Sequence, residues 1–470
     1  MRPLPARAAL IAVTCLVAGS APAASQDYYA DIRPILVENC VRCHSDDGIA
    51  WSMEDAESAY ERSARIARAV SNQQMPPWLA EPGHQDYVGD LSLDEATLAV
   101  VRDWAAADFP KGDPRPDPAP PMMHHAAFAP DLSLDVLPDD GYLPDQSATD
   151  EYRCFVVDWS ADESGYVTGF RAVPGNRNVA HHVVVHAVDP AMVDRFRELD
   201  AEEDGAGYRC FGGALPDRLG DRAVRAAYEE RYPDGVRELD RSNFWLAHWA
   251  PGMDGHVFPE GTGIRVEPGT GLVVQMHYYS STAPGEKDVD TRLDFMVAET
   301  VERPAFHLAQ TRGDWLASKR SGTMVIPSGT KQTFEMADDL GNLVGYIAYL
   351  TQVPQDRIQA LEIHSANLHM HSFGHSGEIT LTHDTGRVET LLSVPRWDLG
   401  WQRDFTFTAP KLIDREALEG TRLGVRCTFE NDTDDTVYGG YGSMEEMCFN
   451  FSYIAVQEAP ATDPPTEGRK

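Results

Sequence analysis

The chain has 470 residues, 42% of them hydrophobic, and a formal net charge of −34 from 40 Lys+Arg against 74 Asp+Glu. That apolar content excludes wholesale disorder, and at about 100–200 residues per domain the length predicts two to four domains. The acidic balance excludes nucleic acid and anionic membrane surfaces as partners, because like charges repel, and suits a basic or neutral partner.

Arg2 and Arg7 precede an apolar run over 8–17, and Ala21-Pro22-Ala23 has the small-x-small form of a signal-peptidase site. The run is too short to cross a bilayer and no later stretch is long enough, so no transmembrane segment is expected. Residues 1–24 read as a cleaved export signal, which predicts a periplasmic or secreted protein. Of the 7 cysteines, Cys15 leaves with that signal and Cys40 and Cys43 share one motif. Cys154, Cys210, Cys427 and Cys448 remain, an even number consistent with two disulfides in an oxidising compartment.

Residues 25–110 predict a small all-α domain. Ile32, Ile35 and Leu36 have helical spacing, and Ala59, Ile66, Ala67 and Val70 suggest a second helix. Ser92-x-x-Glu95 reads as a capping box, after which Leu98, Val101 and Ala105 recur on one face. Within this stretch Cys40-Val41-Arg42-Cys43-His44 fits C-x-x-C-H, the motif that attaches a c-type haem. Both thiols would bond the haem vinyl groups and His44 would reach the iron. Met75, in Gln74-Met75-Pro76-Pro77-Trp78, is the favoured second axial ligand, because a Pro-stiffened loop can hold a thioether over the opposite haem face. His84 and Met53 are its rivals. A zinc knuckle would want a second ligand pair nearby, and none follows. The expected unit is therefore a cytochrome c domain with one covalently bound haem c. Residues 111–128 are Pro-rich and read as an extended linker.

From 129 onward short β-branched runs are separated by Pro, Gly, Asp and Asn. Residues 154–159, 182–188, 263–266, 272–279, 343–350, 379–382 and 448–454 are such runs, and they predict a mainly β fold of antiparallel sandwiches. The stretch is too long for one sandwich. Two are expected, 129–299 and 300–458, with a disordered tail over 459–470. Residues 191–240 are more charged and suit a helix or a long loop.

Three histidine clusters stand out here. His369 and His371 are two apart, so on a regular strand they share a face and can grip one ion. His181 and His182 would point to opposite faces and could serve one metal only at a bulge or strand end. His277 lies in a third apolar run. Imidazole suits copper and zinc, whereas a thioether nearby favours copper; Met444 and Met447 are available. A lone strand histidine is commonly a satisfied core residue, but three clusters together are not.

The stretch from about 150 to 455 resembles the copper type II, ascorbate-dependent monooxygenases, which include peptidylglycine α-hydroxylating monooxygenase and dopamine β-monooxygenase. The matching segments run in family order: Asn178-Val-Ala-His181-His182-Val, Gln275-Met-His277-Tyr278, Leu368-His369-Met370-His371, and Glu446-Met447-Cys448. The resemblance implies two tandem jelly-roll-like β-sandwich copper domains. It implies an electron-transfer copper at His181, His182 and His277, and a catalytic copper at His369, His371 and Met447, which selects Met447 over Met444. Disulfides Cys154–Cys210 and Cys427–Cys448 are implied too. So is the reaction: insertion of one atom of O2 into an aliphatic C–H bond of a small organic molecule.

Where the peptide-amidating members carry an arginine for the substrate carboxylate, this chain has Asn367, and Phe449 and Phe451 replace polar residues. The expected substrate is therefore not an acidic glycine-extended peptide but a neutral or cationic, partly apolar small molecule. Electrons are expected from an external donor, a redox protein or small reductant, through the chain's own haem. A non-catalytic haem and copper electron carrier is the alternative. A zinc hydrolase lacks an evident carboxylate base beside the histidines.

Overall fold

A computed structural model describes residues 26–46, 51–119, 128–210, 213–249, 255–280, 283–442 and 444–459. The expected signal, part of the expected linker and nearly all of the expected tail lie outside those residues. The chain divides into two units, residues 1–76 with 91–122, and residues 77–90 with 123–470.

The first unit is helical where it is described. A helical turn over Tyr28–Ile32 leads into α1 (Arg33–Asn39), and α2 (Ala56–Tyr60), α3 (Ser63–Ser71) and α4 (Glu95–Ala106) follow. Asp94, not Ser92, caps α4: its carboxylate accepts from the Thr97 amide at 2.7 Å. An aspartate in reach of the same amides starts the helix two residues later than the serine would. Leu98, Val101 and Trp104 form the buried face and pack with Tyr28, Leu36, Ile66 and Val70.

The second unit is mainly β. It opens with β1 (Leu132–Asp135), β2 (Asp150–Asp158), β3 (Gly165–Val173) and β4 (Ala180–Val188). The charged stretch that follows holds α5 (Val193–Ala201), β5 (Tyr208–Arg209), α6 (Arg222–Arg231) and α7 (Gly235–Arg241). Next come β6 (Asn243–Trp249), β7 (His256–Val257), β8 (Thr262–Val266), β9 (Gly271–Tyr279) and β10 (Arg292–Ala298). After them lie β11 (Arg303–Gln310), α8 (Ser318–Ser321), β12 (Val325–Ile326), β13 (Thr330–Asp339) and α9 (Leu340–Thr351). The chain ends with β14 (Ile358–His369), β15 (Gly374–Thr382), β16 (Val388–Val394), β17 (Phe405–Asp414), β18 (Arg422–Asn431), β19 (Val437–Tyr438) and β20 (Phe449–Glu458).

The run 343–350, expected as a strand, lies in α9. Asp339 caps this helix, and Leu340, Val344, Ile347 and Leu350 are buried at helical spacing. So short an apolar run does not by itself distinguish a buried strand from a buried helix.

One nine-stranded sheet runs β1-β10-β3-β8-β11-β20-β14-β17, with β7 beside β3. Its first half packs on the five-stranded sheet β5-β2-β9-β4-β6, and its second half packs with the four-stranded sheet β13-β18-β15-β16 and α9. Two sandwich layers thus share one long sheet. They join at β8 and β11, which pair in parallel through Arg303↔Thr262 to Ala305↔Ile264, so the sheet continues across position 299/300. Residues 77–90, expected with the first helices, lie instead on the second sandwich. Val88 N–H bonds the Thr406 carbonyl on edge strand β17, and the Tyr87 hydroxyl donates to the Leu391 carbonyl at 2.7 Å. They cover an otherwise open sheet edge.

Cys154 bonds Cys210 across 56 residues, and Cys427 bonds Cys448 across 21. On the loop-entropy scale, Cys154→Ala/Cys210→Ala should cost about 4 kcal/mol and Cys427→Ala/Cys448→Ala about 3 kcal/mol. Urea unfolding of each double variant checks both the losses and their order.

Candidate metal centres

Strand β4 carries a bulge where the first cluster sits. Ala180 pairs Tyr278 and His182 pairs His277, so His181 is the extra residue and both imidazoles reach one side. Single ligand nitrogens of His181, His182 and His277 all lie within 4.8 Å of one another. His277 stacks on Tyr152 at 4.2 Å, and its Nε2–H donates to Asp150 at 2.9 Å. That fixes the tautomer and leaves Nδ1 as an acceptor, 3.1 Å from Nδ1 of His182. Two ring nitrogens so close need a cation or a proton between them. Nδ1 of His181 is buried with no hydrogen-bond partner among the described residues. Burial, then the neighbouring imidazoles, hold His181 down to about 4 and His182 well below the ordinary histidine range. An orphaned buried nitrogen beside two further imidazoles, one oriented by a carboxylate, fits a metal ion.

The second cluster sits at a strand end. His369 is the last residue of β14 and His371 lies beyond it, so the two do not share one strand face as expected. Their rings still meet, 5.2 Å apart and nearly perpendicular. Nδ1 of His369 bonds Oε1 of Gln402, and Nδ1 of His371 donates to the carbonyls of Glu445, at 2.9 Å, and Gly442, at 3.1 Å. Both rings are left with Nε2 as a free acceptor. Burial holds His369 down to about 3 and lowers His371. Glu446 is fully buried, and its carboxylate accepts from the amides of His371 at 2.9 Å, Phe373 at 2.6 Å and Met447 at 3.2 Å. It ties the turn bearing His371 to the segment bearing Met447. Met447 is 8% exposed, whereas Met444 is 69% exposed and points to solvent.

A cavity of about 140 Å³ adjoins both clusters, with His182 on one side and His369, His371 and Met447 on the other. Trp245, Phe449 and Phe451 panel it, and no Lys, Arg, Asp or Glu is among the described residues that line it. The clusters are near enough that His369 and His371 each add to the lowering of His182. In the wall itself, Nε2 of His248 meets Asp404 at 3.2 Å, and Asn367 donates its amide to the same carboxylate at 3.0 Å. Asp150, Gln402, Glu446 and His248 have no sequence signature. Asp150 reaches His277 only because β2 pairs with β9, with Tyr152 opposite His277.

In the helical unit Cys40 and Cys43 are free thiols, and burial pushes Cys40 up to about 11. His44 is buried, with Nδ1 2.8 Å from the Trp51 carbonyl, which leaves Nε2 uncommitted. As a donor set this fits covalent attachment and one axial ligation of a haem. Met75 is half-buried; Met53 is buried, its amide on the His44 carbonyl at 2.6 Å. His84 belongs to the 77–90 segment, where it meets Glu81 at 3.3 Å.

Residues 343–461 match the C-terminal domain of the copper type II ascorbate-dependent monooxygenases. The match spans His369, His371 and Met447, and the family it describes suggests copper as a cofactor. A comparison with curated proteins finds no match. Among solved structures, a secreted protein from Parabacteroides distasonis is 7% identical over 70% of this chain and 88% of its own, with a TM-score of 0.15. The major capsid protein P2 from bacteriophage PM2 is 10% identical over 67% of this chain and all of its own, with a TM-score of 0.21. Nothing is drawn from likenesses this slight. Among the described residues no helix is long and apolar enough to cross a membrane.

Asp150→Asn should weaken metal binding at the three-histidine cluster about 10–100-fold, the usual cost of losing such an orienting partner. Competition against a chromogenic chelator reads this directly, and binding unchanged from wild type would show that Asp150 does not orient a ligand.

Proposed function

We propose that the protein is an exported copper monooxygenase that hydroxylates an aliphatic C–H bond of a small organic molecule. The overall change is R–H + O2 + 2 e⁻ + 2 H⁺ → R–OH + H2O. The observation that carries the reading is the cavity bounded by two separate histidine sets, with a buried methionine only in the second. Copper bound at the two sets would supply O2 activation and the second electron. His369, His371 and Met447 would hold the catalytic ion, and His181, His182 and His277 the electron-transfer ion. Gln402 and the Glu445 carbonyl orient the catalytic imidazoles, while Asp150 orients His277. The aromatic wall excludes water from the reacting C–H bond. Because the cavity wall offers no arginine or lysine among the described residues, a carboxylate entering it would lose charge-assisted bonds of about 1.5–3 kcal/mol each. A neutral or cationic, partly apolar substrate suits it better. A carrier that only relays electrons has no use for such a cavity.

The domain scheme proposed with this reading is a helical cytochrome c domain over 25–110 and copper domains over 129–299 and 300–458. Its electron source is an external donor acting through haem at Cys40, Cys43 and His44, with Met75 as the second axial ligand. A short tether raises the effective concentration of one site at another to roughly millimolar where geometry allows contact. Export is supported by the two disulfides, which persist in oxidising compartments.

Oxygen uptake with reductant tests the reading. Met447→Ala should lower turnover by more than about 100-fold, beyond the usual effect of an outer partner, while Met444→Ala stays within about twofold of wild type. A dead Met444→Ala variant would overturn the assignment. Cys40→Ala/Cys43→Ala should lose turnover with a protein donor and keep it with ascorbate. Reduced haem that stays reduced beside copper(II)-loaded protein in stopped-flow mixing would refute the haem route.

A further inference from the structure

His186 is a buried imidazole that the two metal sets do not use. It lies four residues beyond His182 on β4, about 13 Å along the strand on the same side of the sheet. It is 7% exposed and lines the cavity. No hydrogen bond reaches either of its nitrogens among the described residues, and burial alone lowers its pKa, to about 4. The ring is therefore neutral, with one N–H to donate and one nitrogen to accept.

Its neighbour is Trp245, 5.6 Å away and edge-on. Trp245 packs at 4.5 Å on Phe451, whose ring is 6.3 Å from that of His369. An aromatic wall thus connects the second histidine set to a polar group with nothing to bond. A buried polar group left unpaired is unfavourable, and the cavity is where a partner can come from.

We propose that His186 anchors the neutral polar group, a hydroxyl or a carbonyl, of a small and otherwise apolar substrate whose body lies along Trp245 and Phe451. A carboxylate head group would stand unpaired, because no Lys or Arg side chain lines the cavity among the described residues. The volume, about 140 Å³, is close to that of an apolar cavity of about 150 Å³ that accepts benzene, so its enclosed part takes a single six-membered ring. The word substrate rests on the monooxygenase reading; the binding does not.

The test uses the full-length protein as purified, with benzyl alcohol and toluene as probes that differ by one hydroxyl. Titration calorimetry gives the ratio of their affinities. In His186→Leu that ratio should shift about tenfold against the alcohol, the loss of one buried hydrogen bond. His186→Gln, which keeps a donor and an acceptor, should stay within about twofold of wild type. A ratio unchanged in His186→Leu overturns the proposal. Should that variant fail to fold, imidazole ¹⁵N shifts of reduced wild-type protein decide. One histidine, absent from the His186→Gln spectrum, moves with benzyl alcohol and not with toluene; the same response to both overturns the proposal. Copper content and oxygen uptake of the same preparation report separately on the monooxygenase reading.

Discussion

Glu446 has no exposed surface, yet its carboxylate accepts backbone amides from His371, Phe373 and Met447. Taking a carboxylate out of water costs several kcal/mol, and hydrogen bonds to a charged group return about 1.5–3 kcal/mol each. Burial still wins in part, and lifts this carboxyl to about 8. An acid whose pKa rises on folding weakens the fold as pH climbs from its unfolded value towards that number. The group is therefore a poor source of stability at neutral pH. What it supplies is geometry: the turn after β14 and the segment before β20 are held to one carboxyl group, which sets His371 and Met447 side by side. The Cys427–Cys448 disulfide fixes the same segment from its other end.

The long sheet then brings the two sets to one cavity. β4 and β9 belong to the five-stranded sheet that packs on its first half, and β14 and β20 are strands of its second half. Histidines more than 180 residues apart in sequence thereby line one space. Burial disfavours the charged forms of His181, His182, His369 and His371, and each ring is pinned through one nitrogen or left orphaned, as metal ligands are before the ion arrives.

Local chemistry was legible in the sequence wherever it depends on neighbours along the chain. β-branched apolar runs marked β2, β4, β8, β9, β15 and β20, and adjacent His181 and His182 pointed to a bulge or a strand end; β4 has a bulge there. Features that depend on tertiary pairing were not legible. The run 343–350 is too short for its period to declare itself, and only its packing against the sheet makes it helical. Asp150, Gln402 and Glu446 are ordinary polar residues until pairing and turns bring them to a histidine. Residues 77–90 follow a helix in sequence but satisfy their backbone groups on β17, a partner more than 300 residues away. His186 looked like one more strand histidine, because only the absence of any partner, a property of the folded cavity, sets it apart.

X-ray absorption at the copper edge of the reduced, copper-loaded full-length protein tests the central claim most directly. Two coppers per chain are predicted, with imidazole nitrogen on both and a sulfur scatterer averaging one for every two metal ions. A spectrum with nitrogen and oxygen ligands alone, or one copper per chain, would contradict the account.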